Sequence, residues 1–192
     1  MTVTSTLVRQ ARTVRGYTQR MVAERSRIAQ PTIAAIESGR RDTTVATFVR
    51  LIEAAGCQVA LLPTRTPSVA SVAASVREDL RYGHEPAAFR RFIQLADDLR
   101  ATDAALSVAL AVQAPPPTGS TLYDALIAAL VEHRLTERSL PVPTWVHEAS
   151  RSLHQLTPLV DEPWYRDLAE ATSPTAFRKH GVLISAGELE SV

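Results

Sequence analysis

Apolar residues recur at three- and four-residue spacing along most of the chain, in short stretches closed by glycine or opened by a hydroxyl residue. Leu7, Val8, Ala11 and Val14 follow the helical period up to Gly16, and Thr18 then stands as an N-cap before Met21, Val22 and Ala23. A third helix is predicted from Gln30, with Pro31 in its first turn, Ile33 and Ile36 turned inward and Gly39 as its stop. Thr43 or Thr44 caps a fourth, which carries Val45, Phe48, Val49, Ile52 and Ala55 on one face and ends at Gly56. The segment from Cys57 to Leu62 alternates briefly and then turns apolar, which predicts a short strand.

Two proline-bearing stretches interrupt this pattern, one between Pro63 and Ser68 and one between Ala114 and Ser120. The first separates two domains, 1–65 and 66–192. Behind it the helical period resumes through Val69, Val72, Ala73, Val76 and Leu80, then through Phe89, Phe92, Ile93 and Ala96, with Gly83 between the two runs. Thr102 is placed to cap a further helix ending at Ala111, and Thr121 with Asp124 three residues on resembles a capping box ahead of Leu126, Ile127, Leu130 and Val131. Pro163 and Pro174 fit first-turn positions, Gly181 ends a helix containing Phe177, and Val182 to Ile184 reads as either a strand or a buried connector. The expected fold is all-α: an N-terminal helical domain with a short strand after its last helix, then a helical C-terminal domain.

Charge separates the same two parts. The net charge is +1 over 192 residues, but residues 1–65 hold ten arginines against four acids, and the rest holds eleven bases against sixteen acids. A basic front on an acidic rear points to two partners, the first polyanionic. There is no apolar run of membrane-spanning length, the first residues lack a secretory pattern, and Cys57 is the single cysteine, so a cytoplasmic protein without disulfides is expected.

The run from Thr18 to Gly39 resembles the Cro/phage-repressor (XRE-like) helix-turn-helix family. The resemblance rests on Gln19 opening the second helix, Ala23 at the close helix contact, Ile28 after the turn, Thr32 and Ile33 in the third helix, and Ile36, Glu37, Gly39 and Arg40 at its end. It spans roughly residues 7 to 56. One position departs from it: the turn residue that is usually glycine is Arg27, which must pay to adopt a positive φ.

In such a unit the third helix enters the major groove by its first turn. The Gln30 amide can pair bidentately with adenine, Thr32 offers a hydroxyl or a methyl, Ala35 permits close approach or a thymine contact, and Pro31 contributes shape alone. Thr18 and Gln19, at a helix N-terminus, suit phosphate, and Arg40 and Arg41 suit the backbone beyond the recognition helix. The resemblance further implies a structural ion pair between Arg12 and Glu37. Arg20, Arg25 and Arg27 are weaker candidates, as well placed for solvent as for phosphate.

The segment from Asp42 to Leu62 is similar to the end of the DNA-binding unit in HipB-like antitoxins, which implies a homodimer on a palindromic operator, paired through strand 57–62. The alternative is that this strand pairs with Val182 to Ile184 of the same chain. The rear half resembles a C-terminal region attached to such modules in actinobacterial antitoxins and regulators, through Glu85 to Phe92, Ala114 to Leu126, Pro143 to Trp145 and Ser173 to Ile184. This implies a repressor that is also the antitoxin of a toxin-antitoxin pair, its rear half binding the toxin; a small-molecule sensor is the alternative, and an enzyme fused to a DNA reader is a third. Scattered His84, His133, His147, His154 and His180 show no metal-ligand spacing, and no phosphate loop or nucleophile elbow is present. No catalytic residue, metal or cofactor is assigned.

Overall fold

Helix-period stretches with a hydroxyl cap on one side and a glycine on the other fold as four helices at the front of the chain: α1 (Val3–Val14), α2 (Gln19–Ser26), α3 (Gln30–Glu37) and α4 (Val45–Ala54). The computed structural model describes residues 3–61 and 63–189, and the chain divides into two units, Met1–Pro63 and Thr64–Val192. In unit 1 the Thr18 hydroxyl caps α2 and the Thr44 hydroxyl caps α4, each accepting from a backbone N–H of the first turn. Val8, Val22, Ile28, Ile33, Ile36, Leu51 and Ile52 close the core between them. The face expected for α4 is narrower than its apolar pattern: Ile52 and Ala55 are buried, Phe48 and Val49 half-buried, and Val45, in the first turn, is exposed.

No strand forms at 57–61; Leu62, the last residue expected in it, lies outside the described residues. A strand is defined by its ladder, and among the described residues nothing pairs with that segment. The alternative partner, Val182 to Ile184, is engaged elsewhere: Thr157–Pro158 (β1) lies parallel to Val182–Leu183 (β2).

Unit 2 is built round one helix. α8 (Thr121–Glu137) has buried residues on every side, Ala125 through Val131 among them, and packs against α5 (Val69–Arg81), α6 (Glu85–Ala101), α7 (Ala104–Ala111) and α10 (Thr175–Lys179). Two caps differ from expectation. Thr102 closes α6 by donating to Asp98 O at 2.6 Å, so Asp103 caps α7 instead. Ser120, not Thr121, caps α8, while Asp124 turns back to accept from Thr118 N at 2.8 Å. Pro174 is the N-cap of α10 and not a residue of its first turn. α9 (Pro163–Thr172) packs on the β1–β2 pair and forms a small second core through Tyr165, Ala169 and Leu183.

Gly181 ties these parts together. Its φ is +77°, and a Cβ there would lie 2.6 Å from Leu153 O, so both conformation and space demand glycine.

Candidate nucleic-acid interface

The turn between α2 and α3 keeps its sharp geometry without glycine. Arg27 itself takes φ 55°, ψ 32°, the left-handed region, and Ser26 Oγ accepts from Ile28 N at 3.3 Å, supporting the turn from beneath. α3 then starts at Gln30 with Ala29 as its N-cap, and no side chain caps its free amides. Pro31 occupies the first turn, where a missing N–H costs nothing.

One buried carboxylate organises the surface around that helix start. Glu37, at the end of α3, is 2% exposed and accepts from Arg12 Nε at 2.7 Å, from Arg12 Nη2 at 2.9 Å and from Gln19 Nε2 at 3.0 Å. Arg12 also donates to Tyr17 O, and Arg9 donates to Glu37 O, so α1, α2 and α3 are fastened at one point. Burial alone would raise the Glu37 carboxyl, but the hydrogen bonds from Arg12 and Gln19 together with the charges of Arg12 and Arg9 outweigh it and hold the group below the usual carboxylate range.

The network reaches the exposed face in one more step. Gln19 uses its amide nitrogen on Glu37, which fixes its oxygen outward, and that oxygen accepts from Gln30 Nε2 at 2.8 Å. Gln30 is exposed at the start of α3, and only one of its amide hydrogens is engaged, on Gln19. Together with Arg12, Tyr17, Thr18 and Arg20, the two glutamines line an open concavity of about 730 Å³. Its openness and the arginine, threonine and glutamine side chains around it suit a phosphate backbone more than an enclosed small molecule.

The remaining candidates fall into place around it. Thr18 is exposed; its oxygen caps Met21 N, which leaves the hydroxyl hydrogen to donate outward. Thr32 and Ala35, half-buried, lie along α3 beyond Gln30. Gly39 at φ +74° turns the chain, after which Arg40 and Arg41 are exposed; Arg40 Nε rests on Ser38 Oγ at 3.0 Å. Of the weaker arginines, Arg20 pairs with Glu24 on the surface, and Arg25 lies over the Tyr17 ring and donates to Ala54 O. The Gln19–Gln30 contact and the Arg9 bond were not foreseen; two glutamines eleven residues apart across a turn were the available signal.

Unit 2 holds a polar cluster that at first resembles a catalytic triad. Ser152 Oγ is 3.2 Å from His180 Nδ1, and His180 Nε2 is 2.9 Å from Glu132 Oε2. His180 Nδ1 is also 2.7 Å from Arg151 O, a carbonyl that can only accept, so Nδ1 carries a hydrogen and cannot take a proton from Ser152. With His180 3% exposed and Glu132 further paired to Lys179, the cluster fastens α8 to α10. Among the described residues no group of three His, Cys, Asp or Glu side chains is placed to hold a metal ion, and no helix is long and apolar enough to cross a membrane.

Residues 8–62 match the family described as Helix-turn-helix. No curated protein and no solved structure matches the chain. The match covers the segment in which Glu37, Gln19 and Gln30 are connected, and it gives the chain a DNA-binding region of the kind that transcription regulators carry.

Proposed function

We propose that the chain is a sequence-specific repressor that occupies a palindrome in its own promoter region as a homodimer, with unit 2 receiving the regulatory input from a protein partner, a toxin that it restrains. The observation that carries the DNA-reading part is the connected series Arg12, Glu37, Gln19, Gln30, which sets a base-reading amide at the exposed start of α3 before any DNA arrives. A side chain whose position is set in advance loses little freedom on binding, so its hydrogen bonds count more fully toward specificity. Thr18, Gln19, Arg40 and Arg41 serve phosphates and fix the register; Gln30, Thr32 and Ala35 face the bases, with Pro31 shaping the approach.

Dimerisation is supported by apolar surface behind α4: Val59 and Leu61 are 49% and 96% exposed. A second copy related by a two-fold axis would cover them, complete a ladder at 57–62 and set two copies of α3 about one DNA turn apart. Unit 2 is read as the half that meets a protein; the groove between α5 and α6, lined by Pro67, Ser71, Ser75, Arg91 and Asp98, has about 210 Å³ and by itself falls below the roughly 300–1,000 Å³ of small-molecule sites.

Footprinting on the DNA upstream of the gene tests this reading. Two protected half-sites related by a two-fold axis, about 10 base pairs between centres, and loss of a promoter-driven reporter signal on expressing the chain are the expected results. An unprotected upstream region would refute it.

A further inference from the structure

α9 presents two apolar faces of different kind. Tyr165 and Ala169 are buried in the small second core of unit 2. Trp164 and Leu168, also four apart, are 67% and 44% exposed; residues at that spacing stack on one helix face, so they form one ridge. Exposed Ala171 extends it by a turn, and Leu156 and Val160, on either side of the β1 strand that α9 packs on, are exposed as well. The other tryptophan shows what this chain does with an indole it needs for folding. Trp145 is 4% exposed and its Nε1 donates to Ala111 O at 2.9 Å.

The charges around the ridge are mostly acidic. Residues 154–172 hold Asp161, Glu162, Asp167 and Glu170 against one arginine, Arg166, which is already paired to Asp161 at 2.8 Å, while Arg178 is occupied at the other end of α9, donating to Glu170 O at 2.8 Å. At about 100° per residue, Asp167 falls on the flank of the ridge away from the buried face and Glu170 further round beside Arg166, while Asp161 and Glu162 stand at the N-terminal end of the ridge. All four are exposed. This border repels DNA and anionic membranes, and a two-fold pairing of two such ridges would set acid against acid. What it complements is a protein groove with an apolar floor and a basic rim, the arrangement in which a tryptophan serves as a buried anchor.

We infer that the Trp164–Leu168 ridge of α9 is the docking surface for a separate protein whose apolar groove is rimmed by arginine or lysine, with Trp164 as the anchor. The inference rests on the reading of unit 2 as the partner-binding half, and gives that half a location.

The full-length chain, immobilised beside Trp164→Asp/Leu168→Asp and Glu162→Lys/Asp167→Lys variants, is exposed to lysate of its source cells, and each protein retained by the wild type is purified and titrated against all three. Far-UV circular dichroism confirms that the variants fold, with Trp164→Ala replacing the first pair where it does not. The expected result is a protein bound about tenfold or more weaker by both variants, more weakly by the wild type as salt rises, and shielding Trp164 from iodide quenching, while all variants keep their DNA affinity. A retained protein that binds all three chains equally overturns the location but leaves the partner-binding reading standing. Sensitivity to the apolar pair alone overturns the basic rim. Self-association of the purified chain that shields Trp164 and is abolished by Trp164→Asp makes the occupant a second copy. Retention of no protein overturns both the ridge and the partner-binding reading.

Discussion

Gln30 Nε2 donates to Gln19 Oε1 at 2.8 Å, so the amide at the start of the recognition helix is held by a residue of the preceding helix rather than by solvent. Gln19 is itself oriented by Glu37, which removes the ambiguity of an amide flip: its nitrogen must face the carboxylate and its oxygen must face Gln30. The order of the series sets the consequences of breaking it. Gln30→Ala removes the amide proposed to read a base and is expected to cost about 1–3 kcal/mol at one base position, relaxing specificity there. Gln19→Ala leaves Gln30 in place but unguided, and is expected to weaken binding to all sequences, because a proposed phosphate contact is removed, as well as blurring the same base preference. A panel of operators substituted one base at a time, titrated with both variants, separates these outcomes; a base preference unchanged in Gln30→Ala would remove that residue from the reading surface.

The carboxylate at the centre of the series makes unit 1 acid-sensitive. Glu37 has its folded-state pKa lowered, so its contribution is present above the unfolded-state value and is lost as pH falls through the folded one. Thermal melts are expected to show stability falling as pH drops below about 4.5, with a shallower fall in Glu37→Gln. At neutral pH that variant is expected to be less stable by about 3 kcal/mol, because Arg12 keeps its charge in a largely buried position without its partner. A Glu37→Gln protein as stable as the wild type at neutral pH would show the pair to be dispensable.

Arg27 holds the turn in a conformation that glycine adopts at no cost. Arg27→Gly is expected to stabilise unit 1 by about 1 kcal/mol, seen as a rise of about 4–8 °C in the midpoint of a domain this size by circular dichroism. A drop would mean that the arginine side chain contributes more than its backbone strain removes.

Gly181→Ala is expected to act in the opposite sense on unit 2, because the added methyl meets the Leu153 carbonyl at 2.6 Å where backbone cannot give way. A loss of about 2 kcal/mol or more is expected, followed by tryptophan emission because Trp145 and Trp164 both lie in that unit.

Much of this was legible in the residue pattern, and the parts that were not share a cause. Thr18, Pro31 and Gly39 mark helix ends by local chemistry, so α2 and α3 could be bounded from the chain alone. The Gln19–Gln30 pairing depends on how α2 crosses α3, which no local signal states. Asp103 and Ser120 took capping roles because their neighbours Thr102 and Asp124 found other partners, a competition decided by tertiary structure. The β1–β2 pair is two residues long in each strand, too short to carry a period. The strand expected at 57–62 shows the converse limit: alternation describes a capacity to pair, and the ladder itself needs a neighbour that the described part of this chain does not offer.

The most direct test of DNA reading by this chain is titration of its upstream DNA against a scrambled duplex at several salt concentrations, with wild type and Arg40→Ala in parallel. Specific binding that Arg40→Ala weakens on both duplexes, with the salt slope smaller by about 0.9 for each phosphate no longer neutralised, is the expected result. Equal affinity for both duplexes at every salt concentration would contradict sequence-specific repression and leave only electrostatic attachment.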